Sequence, residues 1–269
     1  MVYSLHNDLA VRTRRAVKGR SMLTNPKVAL VIPTLHEAGN VRSLLDAARS
    51  TLAGVAARWE IIVVDDDSRD GTEELVLAAA QNDARVRLLV RRGERGLAGA
   101  ILHGWQETDA EILGVMDADM QHPPELLPRL LDEILDGKDL AVASRYAEGG
   151  SLGGWNLLRA LVSSAAVWVT VPLQRSGLRV RDAMSGYFMV RRHSVDGIAF
   201  RTTGFKLLLE ILVRGRIASV SETPFTFGKR KAGASKANVG VAWEYLQLLS
   251  ALYVFRVGAV WFRRKATAS

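Results

Sequence analysis

"AEILGVMDADMQHPPELLPRLLDEIL", residues 110–135, carries the unit from which the fold is read. Its first part, "AEILGVMD" (110–117), reads as a buried strand, and "PPELLPRLLDEIL" (123–135) as a helix opened by proline. Between them Asp117-Ala118-Asp119 is followed by Gln121 and His122. Two carboxylates one residue apart repel each other, and each loses hydration if the strand end is buried. A divalent cation relieves that repulsion, and so does a surface turn open to water. Taken alone, the pair accommodates both.

The same strand-to-helix unit recurs outward in both directions. "KVALVIPT" (27–34) is an apolar, β-branched strand ending after Pro33. "AGNVRSLLDAARSTL" (38–52) then places Val41, Leu44, Leu45 and Ala48 at helical spacing. "WEIIVVDDDS" (59–68) is a second strand, and Thr72 is placed to cap a helix beginning at Glu73 and Glu74, where acidic residues suit the helix dipole. "ARVRLLV" (84–90) and "GLAGAILHGWQET" (96–108) are the third strand and helix, and "DLAVASR" (139–145) is a fifth strand. Alternation of this kind predicts an α/β fold, a mostly parallel sheet flanked by helices on both faces. Ligands in such sheets bind beyond the carboxyl ends of the strands. "IPTLHE", "VVDDDS", "VMDADMQ" and "ASRY" all fall there, so four polar clusters converge on one rim.

Composition narrows the chemistry. The chain has 269 residues, 48% of them hydrophobic, enough for one large domain or a domain with an appendage. It contains no cysteine, so any metal must sit on oxygen or imidazole ligands. A formal charge of +8 favours anionic partners. Part of that charge is local: Arg12, Arg14, Arg15, Lys18, Arg20 and Lys27 face only Asp8 over residues 8–27, and residues 1–24 read as a basic flexible arm. No apolar run follows to make a signal peptide. No Gly-x-Gly-x-x-Gly opens the first helix and no P-loop motif appears, which argues against dinucleotide binding and a P-loop NTPase. No basic helix interleaved with aromatics points to nucleic acid.

Residues 27 to about 236 resemble the inverting glycosyltransferases of family 2, with their GT-A (Rossmann-like) fold, and within them the polyprenol-phosphate (dolichol-phosphate) mannosyltransferases. The resemblance rests on "VIPTLHEAGN", "IIVVDDDSRDGT", "RGLAGAILHG", "MDADMQHPPE", "ASRY", "DAMSGYFMVRR" and "FGKRKAGASK", in that order. It implies a catalytic domain over 25–236 and metal-dependent transfer of a hexose, mannose from GDP-mannose foremost, to a polyprenyl phosphate. Alternatives are the same reaction with UDP-glucose or another sugar nucleotide, and a non-catalytic nucleotide-sugar-binding subunit.

Site residues carry over by position. Pro33, Thr34 and Glu37 are expected to line the nucleoside pocket, although Leu35-His36 stands where the family pattern has a Tyr-Asn pair. Val64 and Asp66 are expected at the base edge. Asp117, Ala118 and Asp119 are expected against the sugar nucleotide, with Asp117, Asp119 and Gln121 as ligands of Mg²⁺ or Mn²⁺. Arg145, Arg159 and Arg230, with Lys236 nearby, are the candidate cations for the phosphates, since Arg forks bind phosphate bidentately and stay charged. Asp182 and Ser185 are expected either to face the sugar or to form a structural turn with Gly186, and His122 to make a structural hydrogen bond beside Pro123. Gly96 and Gly99 are expected to serve packing.

Two apolar stretches raise the question of a membrane. "WNLLRALVSSAAVWVTVPL" (155–173) is marginal for a span. "VAWEYLQLLSALYVFRVGAVWF" (241–262) is long enough but contains Glu244 and Arg256, and cations flank both ends. The favoured reading is an interfacial amphipathic helix within 237–269, followed by a basic tail, attaching the chain peripherally to the cytoplasmic face of a membrane. No obligate protein partner is evident.

Overall fold

The computed structural model of the chain describes residues 25–56, 58–151, 166–175, 177–201, 206–228 and 245–256. The basic arm 1–24, Arg159, Arg230, Lys236 and the ends of the 241–262 stretch lie outside the described residues. The strands are β1 (Lys27–Thr34), β2 (Arg58–Asp65), β3 (Val86–Val90), β4 (Ile112–Val115), β5 (Leu140–Ser144), β6 (Phe188–Arg191) and β7 (Val220–Pro224). They form one sheet in the order β3-β2-β1-β4-β6-β5-β7, with β6 antiparallel to both neighbours and every other pair parallel. The five expected strands are all present. β6 falls within the motif "DAMSGYFMVRR", and β7 lies outside every stretch that the sequence reading singled out.

Among the described residues, α1 (Val41–Val55), α2 (Thr72–Asn82), α3 (Leu97–Gln106), α4 (Leu127–Leu135) and α5 (Leu207–Arg214) cover the sheet, together with the helical residues 245–256. Alternation along β1 explains the layering. Val28, Leu30 and Ile32 pack into a core with α1, α2 and α4, whereas Ala29 and Val31 face a second core with α3, α5 and the helical residues 245–256. The two faces are therefore both buried, as a parallel sheet requires. Leu249 and Leu252 carry the helical segment 245–256 into the second core.

Two local details differ from expectation. Gly71, with φ of 98°, precedes α2, and Thr72 is its first residue; Asp70 Oδ1 accepts from the Thr72 amide (3.1 Å) and so does the capping. The helix after Pro123 begins as a 3₁₀ turn, Pro124–Leu126, before α4. Chain order reverses between β1, which continues outward to β2 and β3, and β4 on its other side. Such a switch opens a crevice beyond the strand ends. Thr34, Asp65, Val115 and Ser144 end the four strands that point into it.

Candidate active site

The rim is built by backbone that bends against its own preference. Non-glycine residues with positive φ are His36 (57°), Asp67 (56°), Arg69 (53°) and Met120 (61°), besides Asn25 at the start of the described chain. Four of these follow β1, β2 or β4, and such conformations cost about 1–3 kcal/mol each and gather at functional sites. Met120 turns the chain so that the Gln121 amide donates to Asp119 Oδ1 at 3.1 Å. Gln121 Nε2 in turn donates to the Gly228 carbonyl at 2.9 Å, and the Gly228 amide to the Gln121 carbonyl at 3.0 Å. The side-chain bond orients the amide with Oε1 as its remaining acceptor. It also seats the start of the "FGKRKAGASK" loop against the Asp-x-Asp turn.

Asp117 is about one-third exposed and Asp119 nearly buried. Asp117 faces Gly186, where a Cβ would lie 2.7 Å from Oδ1 and nearer still to Oδ2. Two carboxylates and an amide oxygen are a hard-oxygen donor set of the kind Mg²⁺ and Mn²⁺ take while keeping positions for phosphate oxygens. Among the described residues there is no group of three or more His, Asp or Glu side chains fit for a metal, so any ion here would depend on the amide and on its substrate for the rest of its shell.

His122 makes no hydrogen bond through Nδ1. Its ring lies among Tyr187 (5.3 Å between centroids), Phe227 (5.5 Å) and Phe225 (5.6 Å), with Nδ1 3.7 Å from Asp117 Oδ2. Burial pulls the imidazole down to about 4, with Asp119 opposing, so it is neutral at pH 7. Its work is packing. The hydrogen bond beside it belongs to Tyr187, whose hydroxyl donates to the Pro123 carbonyl at 3.0 Å.

Arg145, just past β5, forks onto Asp182: Nε to Oδ2 and Nη2 to Oδ1, both 2.7 Å, with the Arg145 amide also on Oδ2. Asp182 is fully buried and is the counter-ion of Arg145. Phe227 and Tyr146 stack on the guanidinium at 5.3 and 5.7 Å. Burial weakens the Arg145 charge, but the Asp182 bonds outweigh it, and Asp117 adds to the upward direction.

At the other end the loops after β1 and β2 are tied together. Thr34 Oγ1 donates to Asp65 Oδ1 (2.7 Å), the His36 amide to Ser68 Oγ (2.8 Å) and the Glu37 amide to Thr72 Oγ1 (3.1 Å). Glu37 Oε2 accepts from Asn40 Nδ2. Pro33 and Ala118 are buried, and Val64 is wholly buried against Gly104, so it supports the rim from beneath. Asp66 accepts from Arg91 Nε (2.8 Å), Arg91 Nη2 (3.0 Å) and the Gly96 amide (2.9 Å). A carboxylate has about four acceptor sites, so one remains for a ligand N–H. Gly99 gives the Arg91 guanidinium its space: a Cβ there would sit 2.5 Å from Nη1. Arg91 escaped the sequence reading although the signal was present, since the β2–β3 register pairs Asp65 with Val90 and the next residues along are Asp66 and Arg91.

The comparisons agree with this architecture. The family model for glycosyl transferase family 2 matches residues 29–198. A dolichol-phosphate mannosyltransferase of Mycosarcoma maydis is 36% identical over 97% of this chain and 91% of its own, and that of Saccharomyces cerevisiae 36% over 86% and 88%. The enzyme of the same name from Pyrococcus furiosus is 39% identical over 82% of this chain, which spans 62% of that relative's length. Among solved structures, glucosyl-3-phosphoglycerate synthase of Mycobacterium tuberculosis, in complex with Mn²⁺, UDP and glucosyl-3-phosphoglycerate, superposes with a TM-score of 0.62 at 18% identity, covering 87% of this chain and 80% of that one. The switch-point crevice, its Asp-x-Asp turn and the match over most of the chain place this protein in glycosyl transferase family 2.

Proposed function

We propose that the chain transfers mannose from GDP-mannose to a polyprenyl phosphate of the dolichyl type with inversion. The observation that supports this most is the Asp117–Gln121 turn beyond the carboxyl end of β4, held by the Gln121 bonds to Asp119 and Gly228, in a chain alignable over 97% of its length to a dolichol-phosphate mannosyltransferase. Thr34, Glu37 and Asp66 would take the nucleoside, with Asp66 offering its one remaining acceptor site to a base N–H. Asp117, Asp119 and Gln121 would hold Mg²⁺ or Mn²⁺, which when bound supplies positive charge to the departing diphosphate.

The acceptor is already anionic at pH 7, so no side chain has to remove a proton. A phosphate oxygen forms the bond to the anomeric carbon, the bond to the diphosphate oxygen breaks, and the electron pair leaves with GDP. Arg145 is held rigidly by Asp182, so its charge needs no reorganisation as the anions approach. Arg159, Arg230 and Lys236 are proposed to share that work.

The lipid partner implies a membrane. No helix among the described residues is long and apolar enough to cross one. A surface patch is present instead: Trp168 and Val254 are each 74% exposed, and Val169, Leu246, Tyr253 and Phe255 are exposed beside them. The Tyr253 hydroxyl donates to the Val169 carbonyl at 3.1 Å and so joins the two segments. This patch is proposed to lie on the cytoplasmic face of the membrane.

Incubation of the purified chain with polyprenyl phosphate, Mg²⁺ or Mn²⁺, and labelled GDP-mannose or UDP-glucose tests the reading. Mannolipid from GDP-mannose is expected, with Asp119→Ala lowering turnover by about 100-fold or more. Glucolipid alone, or donor binding without product, would overturn it.

A further inference from the structure

Lys206 stands where local rules disfavour a lysine. It is the residue that opens α5, at the end where the helix dipole is positive and cations are unwelcome. Its side chain is largely buried, and among the described residues it makes no ion pair. The charged groups acting on it are Arg145, from the end of β5, and Asp182, from the turn that Arg145 grips. Glu210, one turn along α5, is engaged by Arg214 Nη1 and the Arg201 amide. From the C-terminal side the Lys206 ammonium rests over the Tyr245 ring, 5.3 Å from its centroid, and the Tyr245 hydroxyl donates to the Ala166 carbonyl. Arg145 already occupies the Asp182 carboxylate in fork geometry, so the Lys206 ammonium has no carboxylate of its own in hydrogen-bond contact among the described residues. A local excess of positive charge in a dry place is costly unless an anion completes it.

We propose that Lys206 is a second cation, beside Arg145, for the phosphate of the polyprenyl acceptor, positioned between the crevice and the helical segment 245–256. The assignment rests on the acceptor class given above. It gives the misplaced lysine a use: Tyr245 shelters the ammonium while the site is empty, and a phosphate arriving along the apolar patch meets it before reaching the donor.

Burial, then Arg145, push the lysine down to about 8, with Asp182 opposing. The charged form therefore prevails below about pH 8 and is lost above it. His122, the other titratable group coupled to Arg145 and Asp182, is neutral throughout this range, and Tyr245 stays protonated, being raised by burial to about 12.

Three measurements on the full chain test the proposal. In Lys206→Met, KM for polyprenyl phosphate should rise by about tenfold or more while KM for GDP-mannose stays within about twofold, since one charge-assisted hydrogen bond to the acceptor is lost. In the wild type, kcat/KM for the acceptor should fall above about pH 8; Lys206→Arg should keep its affinity to higher pH, and Lys206→Met should show no such limb. Because the fold disfavours the charged lysine, stability rises between about 8 and the ordinary lysine value of 10.5, and Lys206→Met should melt at a higher temperature than the wild type at pH 7. An unchanged acceptor KM, or an alkaline limb that survives in Lys206→Met, would overturn the assignment. Equilibrium binding of polyprenyl phosphate without donor separates it from the transfer reading: Lys206-dependent binding with no sugar transferred refutes the latter alone.

Discussion

At the residue scale the site depends on one missing methyl group. Gly186 lets the Asp117 carboxylate lie against the backbone, and any Cβ there would displace both oxygens. A shift of about 1 Å in a reacting group costs on the order of 100-fold in rate. Gly186→Ala should therefore lower turnover by about that factor while far-UV circular dichroism is unchanged, which steady-state kinetics and a spectrum together check. The same scale separates what was legible from what was not. Asp117, Asp119 and Gln121 fall within five consecutive residues, so a short motif locates them. The partner of Arg145 lies 37 residues away, and Asp182 was read as a sugar contact or part of a turn because nothing local announces a buried counter-ion. Lys206 lay outside every motif, and its neighbours come from β5, the turn at 181–184 and a C-terminal helix.

At the scale of elements, two contacts decide how firmly the sheet presents its rim. α3 crosses β1 and β2 at Gly104, where a Cβ would stand 2.8 Å from Val31 Cγ1 and 3.1 Å from Val64 Cγ2. Gly104→Ala should push the helix off the sheet and cost about 1–3 kcal/mol, measured by urea denaturation. Consecutive arginines at the end of β6 then close the carboxyl ends of two helices. Arg191 donates to the Ile134 carbonyl in the last turn of α4 and to that of Lys138 beyond it, and Arg192 to the Trp105 carbonyl in the last turn of α3 and to those of Thr108 and Ala110 beyond it. Helix ends leave carbonyls without intrahelical partners, and cations are favoured there. Arg192→Ala should lower unfolding free energy by about 2–4 kcal/mol, with KM values unchanged below the transition. The strands and helices of the first half were legible because apolar strands and helix-spaced patterns alternate along the chain, even though β3 and β4 run to only five and four residues. β6 is four residues long and is inserted antiparallel between β4 and β5, so its place depends on pairings 46 to 79 residues apart in sequence that no local pattern reveals.

At the scale of the molecule, the proposed reaction moves a sugar from a water-soluble nucleotide to a lipid phosphate and releases the nucleoside diphosphate, so the crevice would have to lie close to an interface. The apolar patch and Lys206 occupy the same side, linked through Tyr245 and Tyr253 of one helical segment. Trp168 and Val254 protrude furthest, and burying such side chains is worth about 1.5–3 kcal/mol each. The formal charge of +8 adds attraction to anionic headgroups, which falls as salt shortens the Debye length. Binding to vesicles containing anionic lipid should accordingly weaken between low and physiological salt without vanishing. The doubly substituted Trp168→Glu, Val254→Glu chain should lose about tenfold or more in vesicle partitioning at either salt, because it removes the apolar contribution that salt does not screen. Both residues lie outside the crevice. Transfer to a short-chain, water-soluble prenyl phosphate should therefore remain near the wild-type rate in this variant, while transfer to a long-chain acceptor in vesicles falls with binding. Equal loss on both acceptors would show that the patch serves the fold and not the membrane.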